Sequence, residues 1–184
     1  MQYLFIMSTQ DNTFSIVNTN SLAFIALCNE YCSALENAAE TERCEFLANM
    51  IRLLPRIYIS ANDLKVNMIE TEEPYIDSAL DEDYYESIRR NVEMIMGPDD
   101  VYLEVFEEDM KYSDTPVSAS ISESLADLFQ VMFNFISMVQ NATDEIMGLA
   151  LLAMKEDFKS YWSQILCNVL RALNNLAHKE EEDY

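Results

Sequence analysis

Apolar residues recur at every third or fourth position along most of this chain, the period of one buried helix face. From Asn20 or Ser21, the positions Leu22, Ile25, Cys28 or Asn29, Cys32, Leu35 and Ala39 predict a first helix. Thr41 is suited to cap a second, with Phe46, Leu47, Met50, Ile51 and Leu54 on its inner face. Pro55 removes a backbone donor, so the pattern predicts a kink there or a fresh start through Ile57, Tyr58 and Ala61. Residues 63–80 lose the period and carry Glu70, Glu72, Glu73, Pro74 and Asp77, which reads as a loop. Asp81 or Asp83 then opens a helix through Tyr84, Tyr85, Ile88, Val92, Ile95 and Met96, closed by Gly97-Pro98.

Asp99 reads as the cap of a short helix, with Val101, Tyr102, Val105 and Phe106 inward and Glu104, Glu107 and Glu108 outward. Lys111 to Val117 reads as a connecting loop. Ser120 and Glu123 match a capping box ahead of Leu125, Leu128, Phe129, Met132, Ile136 and Val139. After a turn at Asn141–Asp144 the last run is Ile146, Ala150, Met154, Phe158, Trp162, Ile165, Val169, Leu173 and Leu176. Unbroken, it would reach about 50 Å, so a break is expected near Glu156-Asp157. The expected fold class is all-α: a single-domain antiparallel bundle or array of about six helices over residues 21–178. Residues 1–20 are read as an N-terminal tail and residues 179–184 as an acidic one.

Composition supports the helices and narrows the chemistry. Two glycines and four prolines in 184 residues leave little material for turns. Half the residues are hydrophobic, which argues for a packed core despite 33 acids against 11 bases and a net charge of −22. That charge repels phosphate backbones and anionic lipid alike, so neither nucleic acid nor membrane is an expected partner. The opening Met1-Gln-Tyr-Leu-Phe-Ile-Met7 lacks the basic residue and the length of a secretory leader, and Met7 could itself be the start. Cys28, Cys32, Cys44 and Cys167 fall in helical contexts rather than in a disulfide framework, and the expectation is a reduced, soluble, cytoplasmic protein.

The single histidine, His178, leaves little for metal or acid–base chemistry, and neither metal nor cofactor is expected. Cys28 and Cys32 share a helix face, but two thiols do not complete a zinc site, and they read as small packing residues. Asn175 stands where a di-iron bundle would need the Glu of Glu-x-x-His, and no glycine-rich loop or nucleophile elbow exists. Trp162 on its period reads as core. One arrangement suggests an enzyme: Glu42-x-x-Glu45 and, further on, Glu70-x-x-Glu73. It faintly resembles the carboxylate quartet with which all-helical nucleoside-triphosphate pyrophosphohydrolases hold magnesium, although Glu73 replaces that family's closing Asp.

Three stretches carry a more specific resemblance. They are Leu53-Leu-Pro-Arg-Ile-Tyr58; Tyr102-Leu-Glu-Val-Phe-Glu-Glu-Asp-Met-Lys-Tyr-Ser-Asp-Thr-Pro116 with Ser120-Ile-Ser-Glu-Ser-Leu-Ala-Asp127; and Phe158-Lys-Ser-Tyr-Trp162 with Leu170-Arg-Ala-Leu173. Over about Ser21 to Leu176 the chain resembles an uncharacterised bacterial domain-of-unknown-function family, found mainly in Bacteroidota. The resemblance implies a single helical cytoplasmic domain with no established activity, substrate or cofactor, and it supplies no catalytic residue.

Function is therefore expected at a surface. Between Glu70 and Asp109 there are fifteen acids against Arg89 and Arg90, a net −13 in forty residues. Glu104, Glu107, Glu108, Asp109, Lys111, Tyr112 and Asp114 form the candidate partner-binding surface, the last three on a loop between two patterned helices. The plainer reading is a solvated face whose loop residues tie down helix ends. The expectation is a non-enzymatic acidic helical module meeting a basic protein surface; the alternative is a magnesium-dependent nucleotide hydrolase using Glu42, Glu45, Glu70 and Glu73. Oligomeric state is not encoded in any of these patterns.

Overall fold

A computed structural model of the chain describes residues 18–66, 73–104 and 117–182. Among them are six α-helices: α1 (Thr19–Glu36), α2 (Arg43–Asn62), α3 (Glu82–Met96), α4 (Ile121–Val139), α5 (Asp144–Asp157) and α6 (Ser163–Glu182). The architecture is largely all-α, with a two-stranded antiparallel sheet of β1 (Val101–Leu103) and β2 (Ser118–Ser120). α1 thus begins inside the stretch read as a tail, and α6 runs on into the acidic end.

Local chemistry explains most boundaries. Asn18 Oδ1 accepts from the Asn20 and Ser21 amides while Ser21 Oγ accepts from the Asn18 amide, a reciprocal cap that fixes the start of α1. Thr41 does not cap α2: Glu42 occupies that position without a side-chain bond, and the Thr41 hydroxyl donates to the Asn37 carbonyl. α2 continues through Pro55 rather than restarting. The lost helical bond costs about 3 kcal/mol, and buried Leu53, Leu54, Ile57 and Ala61 on either side of the proline offset it. Asp81 caps α3 through Tyr84 N at 2.8 Å, and Gly97, at φ 55°, ends it in a conformation few other residues tolerate. Thr143 caps α5.

The core lies around α4, which packs against α1, α3, α5 and α6. Phe24, Phe135 and Trp162 meet at ring-centroid distances of 5.6 Å (Phe24–Phe135) and 6.4 Å (Phe24–Trp162), and Phe158 lies 4.6 Å from Trp162. The indole N–H donates to the Met154 carbonyl and the buried Tyr31 hydroxyl to that of Leu125, so these polar tips enter the core paired. The break expected near Glu156-Asp157 is present in another form: Phe158–Trp162 is a π-helical turn joining α5 to α6 without a loop.

Among the described residues after Asp99, the start of the expected short helix is replaced by a strand. Val101–Leu103 is a strand, with Val101 opposite Ser120, Tyr102 opposite Ala119 and Leu103 opposite Ser118. The side chains alternate: Val101 and Leu103 face water, Tyr102 is half-buried and Glu104 is buried. A β-branched residue and an aromatic at period two suit a pleat better than a helix turn. Nor does Asp99 cap a helix; its carboxylate pairs with Arg43 at 2.7 Å, and the same guanidinium donates to the Met96 carbonyl.

Candidate functional site

The β1–β2 pair is tied to α4 through one carboxylate. Asp100 Oδ1 accepts from Ser122 N at 2.8 Å; Oδ2 accepts from the hydroxyls of Ser120 at 2.7 Å and Ser122 at 2.9 Å. A negative group thus sits against the free amides at the start of α4, where the helix dipole favours it. Ser120 Oγ accepts in turn from Glu123 N at 3.3 Å, the half of the expected capping box that forms.

From that knot β1 runs beside α6 and leaves a cleft between them. Tyr102 and Ser124 share a hydrogen bond of 3.1 Å, and Glu104 accepts from the Asn168 amide of α6. Tyr85 donates to Asp127 at 2.7 Å. Two adjoining cavities of about 290 Å³ each share Tyr102 and Asn168 as walls. One extends over Glu104, Asp127 and the π-turn residues Ser160 and Tyr161, the other along Leu103, Arg171 and Asn175. A larger depression of about 630 Å³ between α1 and α2 has a mixed lining of amides, hydroxyls, apolar side chains and charges, with Arg56 paired to Glu30.

Electrostatics in the cleft follow from burial. Desolvation lifts the Asp127 carboxyl above the ordinary carboxylate value, opposed by the Tyr85 hydrogen bond and reinforced by Glu123. The Tyr102 phenol is pushed up to about 12, first by burial and then by the neighbouring charge of Glu104. Tyr85 rises as well, from burial and its bond to Asp127. The phenols of Tyr85 and Tyr102 are thus protonated at neutral pH, and Tyr85 donates to Asp127.

The acids of the Glu70–Asp109 segment separate into two groups. Arg89 is held by Glu86 and Glu93, and Arg90 also reaches Glu86. Glu73, Asp77, Asp81, Glu82 and Asp83 are exposed, and none has an ion-pair partner among the described residues. Glu104, expected to point outward, is instead only 8% exposed, because the strand turns every second side chain toward α6. Of the other candidate surface residues, Glu107, Glu108, Asp109, Lys111, Tyr112 and Asp114 lie outside the described residues, as do Val105, Phe106 and all of the expected Lys111–Val117 loop except Val117.

The carboxylate-quartet alternative gains no support. Glu42 and Glu45 stand at the start of α2, whereas Glu73 is in an irregular segment and Glu70 lies outside the described residues. Two facing helices bearing the two pairs are therefore not what the structure presents. No group of three or more His, Cys, Asp or Glu among the described residues is placed to hold a metal ion. Cys28 and Cys32 are buried thiols; burial raises both, Cys32 to about 12, which makes them packing groups rather than nucleophiles. No helix among the described residues is long and apolar enough to cross a membrane.

Residues 15–179 match the family model described as Domain of unknown function (DUF5063). The chain belongs to this family. Among solved structures, the crystal structure of protein BF1032 from Bacteroides fragilis, a structural genomics target, is similar at 30% identity and a TM-score of 0.73. The similarity covers 88% of this chain and 94% of that one. No curated protein matches. For a DUF5063 chain the fold is thus shared across nearly the whole length, while family membership assigns no activity. The sequence pattern does not by itself point to the cleft. Its one available signal was the period-two pattern of Val101 to Glu104, which brings a polar and an acidic side chain to the same side of the strand.

Proposed function

We propose that this DUF5063 protein is a non-enzymatic cytoplasmic interaction module that engages a basic protein surface. The observation that carries the reading is the exposed acidic run Glu73, Asp77, Asp81, Glu82 and Asp83, which the nearby arginines leave uncompensated because Glu86 and Glu93 already hold them. Such a surface steers a basic partner and favours it over acidic ones. Glu107, Glu108, Asp109, Lys111, Tyr112 and Asp114 extend the proposed surface on sequence grounds. The free thiols Cys28, Cys32, Cys44 and Cys167 support a reducing compartment.

The test is binding of a lysine-rich peptide, measured by calorimetry over a salt series. Affinity should fall as salt rises, because exposed charges are screened beyond about 8–10 Å at physiological ionic strength. A Glu73→Gln, Asp77→Asn, Glu82→Gln, Asp83→Asn variant spares the Asp81 cap and should bind several-fold more weakly with unchanged unfolding. Binding indifferent both to salt and to these substitutions would reduce the charge to a solvated face.

A further inference from the structure

Asp100 accepts from Ile121 N, and Glu104 N donates to the Val117 carbonyl, both at 2.8 Å. In an antiparallel pair the residues that exchange such bonds alternate along the strand. Asp100, Tyr102 and Glu104 therefore turn their backbone groups toward β2, and Val101 and Leu103 turn theirs to the other edge. No described residue pairs with that edge. The side chains on the same two residues are 65% and 59% exposed. Neither Lys nor Pro, common guards of an open edge, stands in the strand.

We infer that the outer edge of β1 takes an extended, basic segment of a partner protein as an added strand, lying in the cleft between β1 and α6. The inference rests on the acidic-module reading above and specifies its mode. A three-residue edge is short, so the cleft must supply the rest of the contact. From Tyr161 in the π-turn to Asn175 in α6 it runs roughly 20 Å at helical rise, which about six residues of extended chain would span. Backbone bonds to Val101 and Leu103 would give affinity, and the walls would give selectivity.

Charge selects the occupant. The charged groups lining the cleft are Glu104 and Asp127 in one cavity and Arg171 in the other, and the chain as a whole is strongly acidic. A second copy of this chain would bring another −22 to the same edge and set its Asp100 and Glu104 against these, so self-pairing is opposed. A strand with alternating basic residues has the complementary sign.

The probes are acetyl-(Lys-Val)4-amide and acetyl-(Glu-Val)4-amide, read by amide hydrogen exchange on the full chain. The Lys peptide should slow exchange at Val101 and Leu103 at least tenfold while leaving Tyr102, already paired with Ala119, unchanged. Leu103→Pro removes an outward donor without touching a bond to β2, and should weaken the Lys peptide at least tenfold. Unfolding of that variant leaves the exchange measurement on the parent to decide. Salt-sensitive binding of the Lys peptide without protection at Val101 and Leu103 overturns strand addition and leaves the acidic-module reading standing. Equal protection by the Glu peptide does the reverse, and loss of both binding events overturns both. Protection that rises with protein concentration alone, together with a dimer in sedimentation, would assign the edge to a second copy instead.

Discussion

The aromatic centre and the β1–β2 pair use opposite means of attachment. Around Phe24, Phe135, Phe158 and Trp162, burial is continuous and non-directional, and polar atoms enter only with a partner. The strand pair is fastened by a handful of directional bonds, from Asp100 to Ser120 and Ser122, from Tyr102 to Ser124 and from Asn168 to Glu104, while its apolar side chains face water. Packing of the first kind tolerates many sequences of similar volume; bonding of the second kind fails on loss of one oxygen. Stability is therefore concentrated in the aromatic centre, so the outer face of the strand pair can vary without unfolding the bundle.

The contrast can be broken most forcefully at the centre. Trp162→Ala should cost about 3–5 kcal/mol, since it empties a fully buried site; urea unfolding would read it, and a loss under 1 kcal/mol would mean the core is not where we place it. Asp100→Ala should cost about 2–3 kcal/mol, because it strips charge-assisted bonds from buried Ser122 and the start of α4. A cost no larger than that of Asp81→Ala, an ordinary cap worth about 1 kcal/mol, would make Asp100 a simple cap and weaken the contrast.

Asp127 sharpens the comparison through pH. Its carboxyl is raised in the folded state by burial, so folding binds its proton more tightly than the unfolded chain does. This group's contribution therefore favours folding as pH falls through the window between the ordinary carboxylate value and the raised one, and opposes it above that window. Asp127→Asn, which can still accept from Tyr85, should match or exceed the parent near neutrality and lose ground to it in that acid window. Thermal unfolding across pH 3–7 (approximate limits set by the carboxylate range) would show the crossing, and its absence would place Asp127 in water. The smallest effect belongs to Val101→Thr and Leu103→Thr, each expected within about 0.5 kcal/mol of the parent because both side chains are solvated.

Helices were legible where period and cap agreed. Asp81 ahead of Tyr84, Gly97-Pro98 and Ser120 ahead of Glu123 each marked a boundary that the structure keeps. The strand was not legible in the same way. Val101, Tyr102, Val105 and Phe106 satisfy a helical reading when taken alone, and the partner that makes Val101–Leu103 a strand is Ser118–Ser120, well down the chain and weakly patterned. Pairing between distant segments leaves only the short period-two alternation of Val101 to Glu104, too brief to outweigh the helical reading, so the cleft it creates was not legible either. Ile165, expected in the core, is only partly buried against it, and Leu166 is the fully buried residue, a displacement by one confined to the step after the π-turn, since Val169 and Leu173 are buried as expected.

That displacement points to what the extra residue in Phe158–Trp162 accomplishes. Ala150, Met154, Phe158, Trp162 and Leu166 repeat strictly every four positions and are all buried. On an ideal helix each such step overshoots a full circle by about 40°, so the stripe would wind well around the axis by Leu166. A wide turn absorbs one surplus residue, worth about 100°, and swings the stripe back. The linker is in effect an angular gear between two helices. Removing a single residue there would leave every side chain of α6 intact and aim all of them wrongly, carrying Asn168 away from Glu104. Insertions and deletions in this stretch are therefore rotations of the α6 face that meets β1, and length at that point constrains the sequence as firmly as any side chain does.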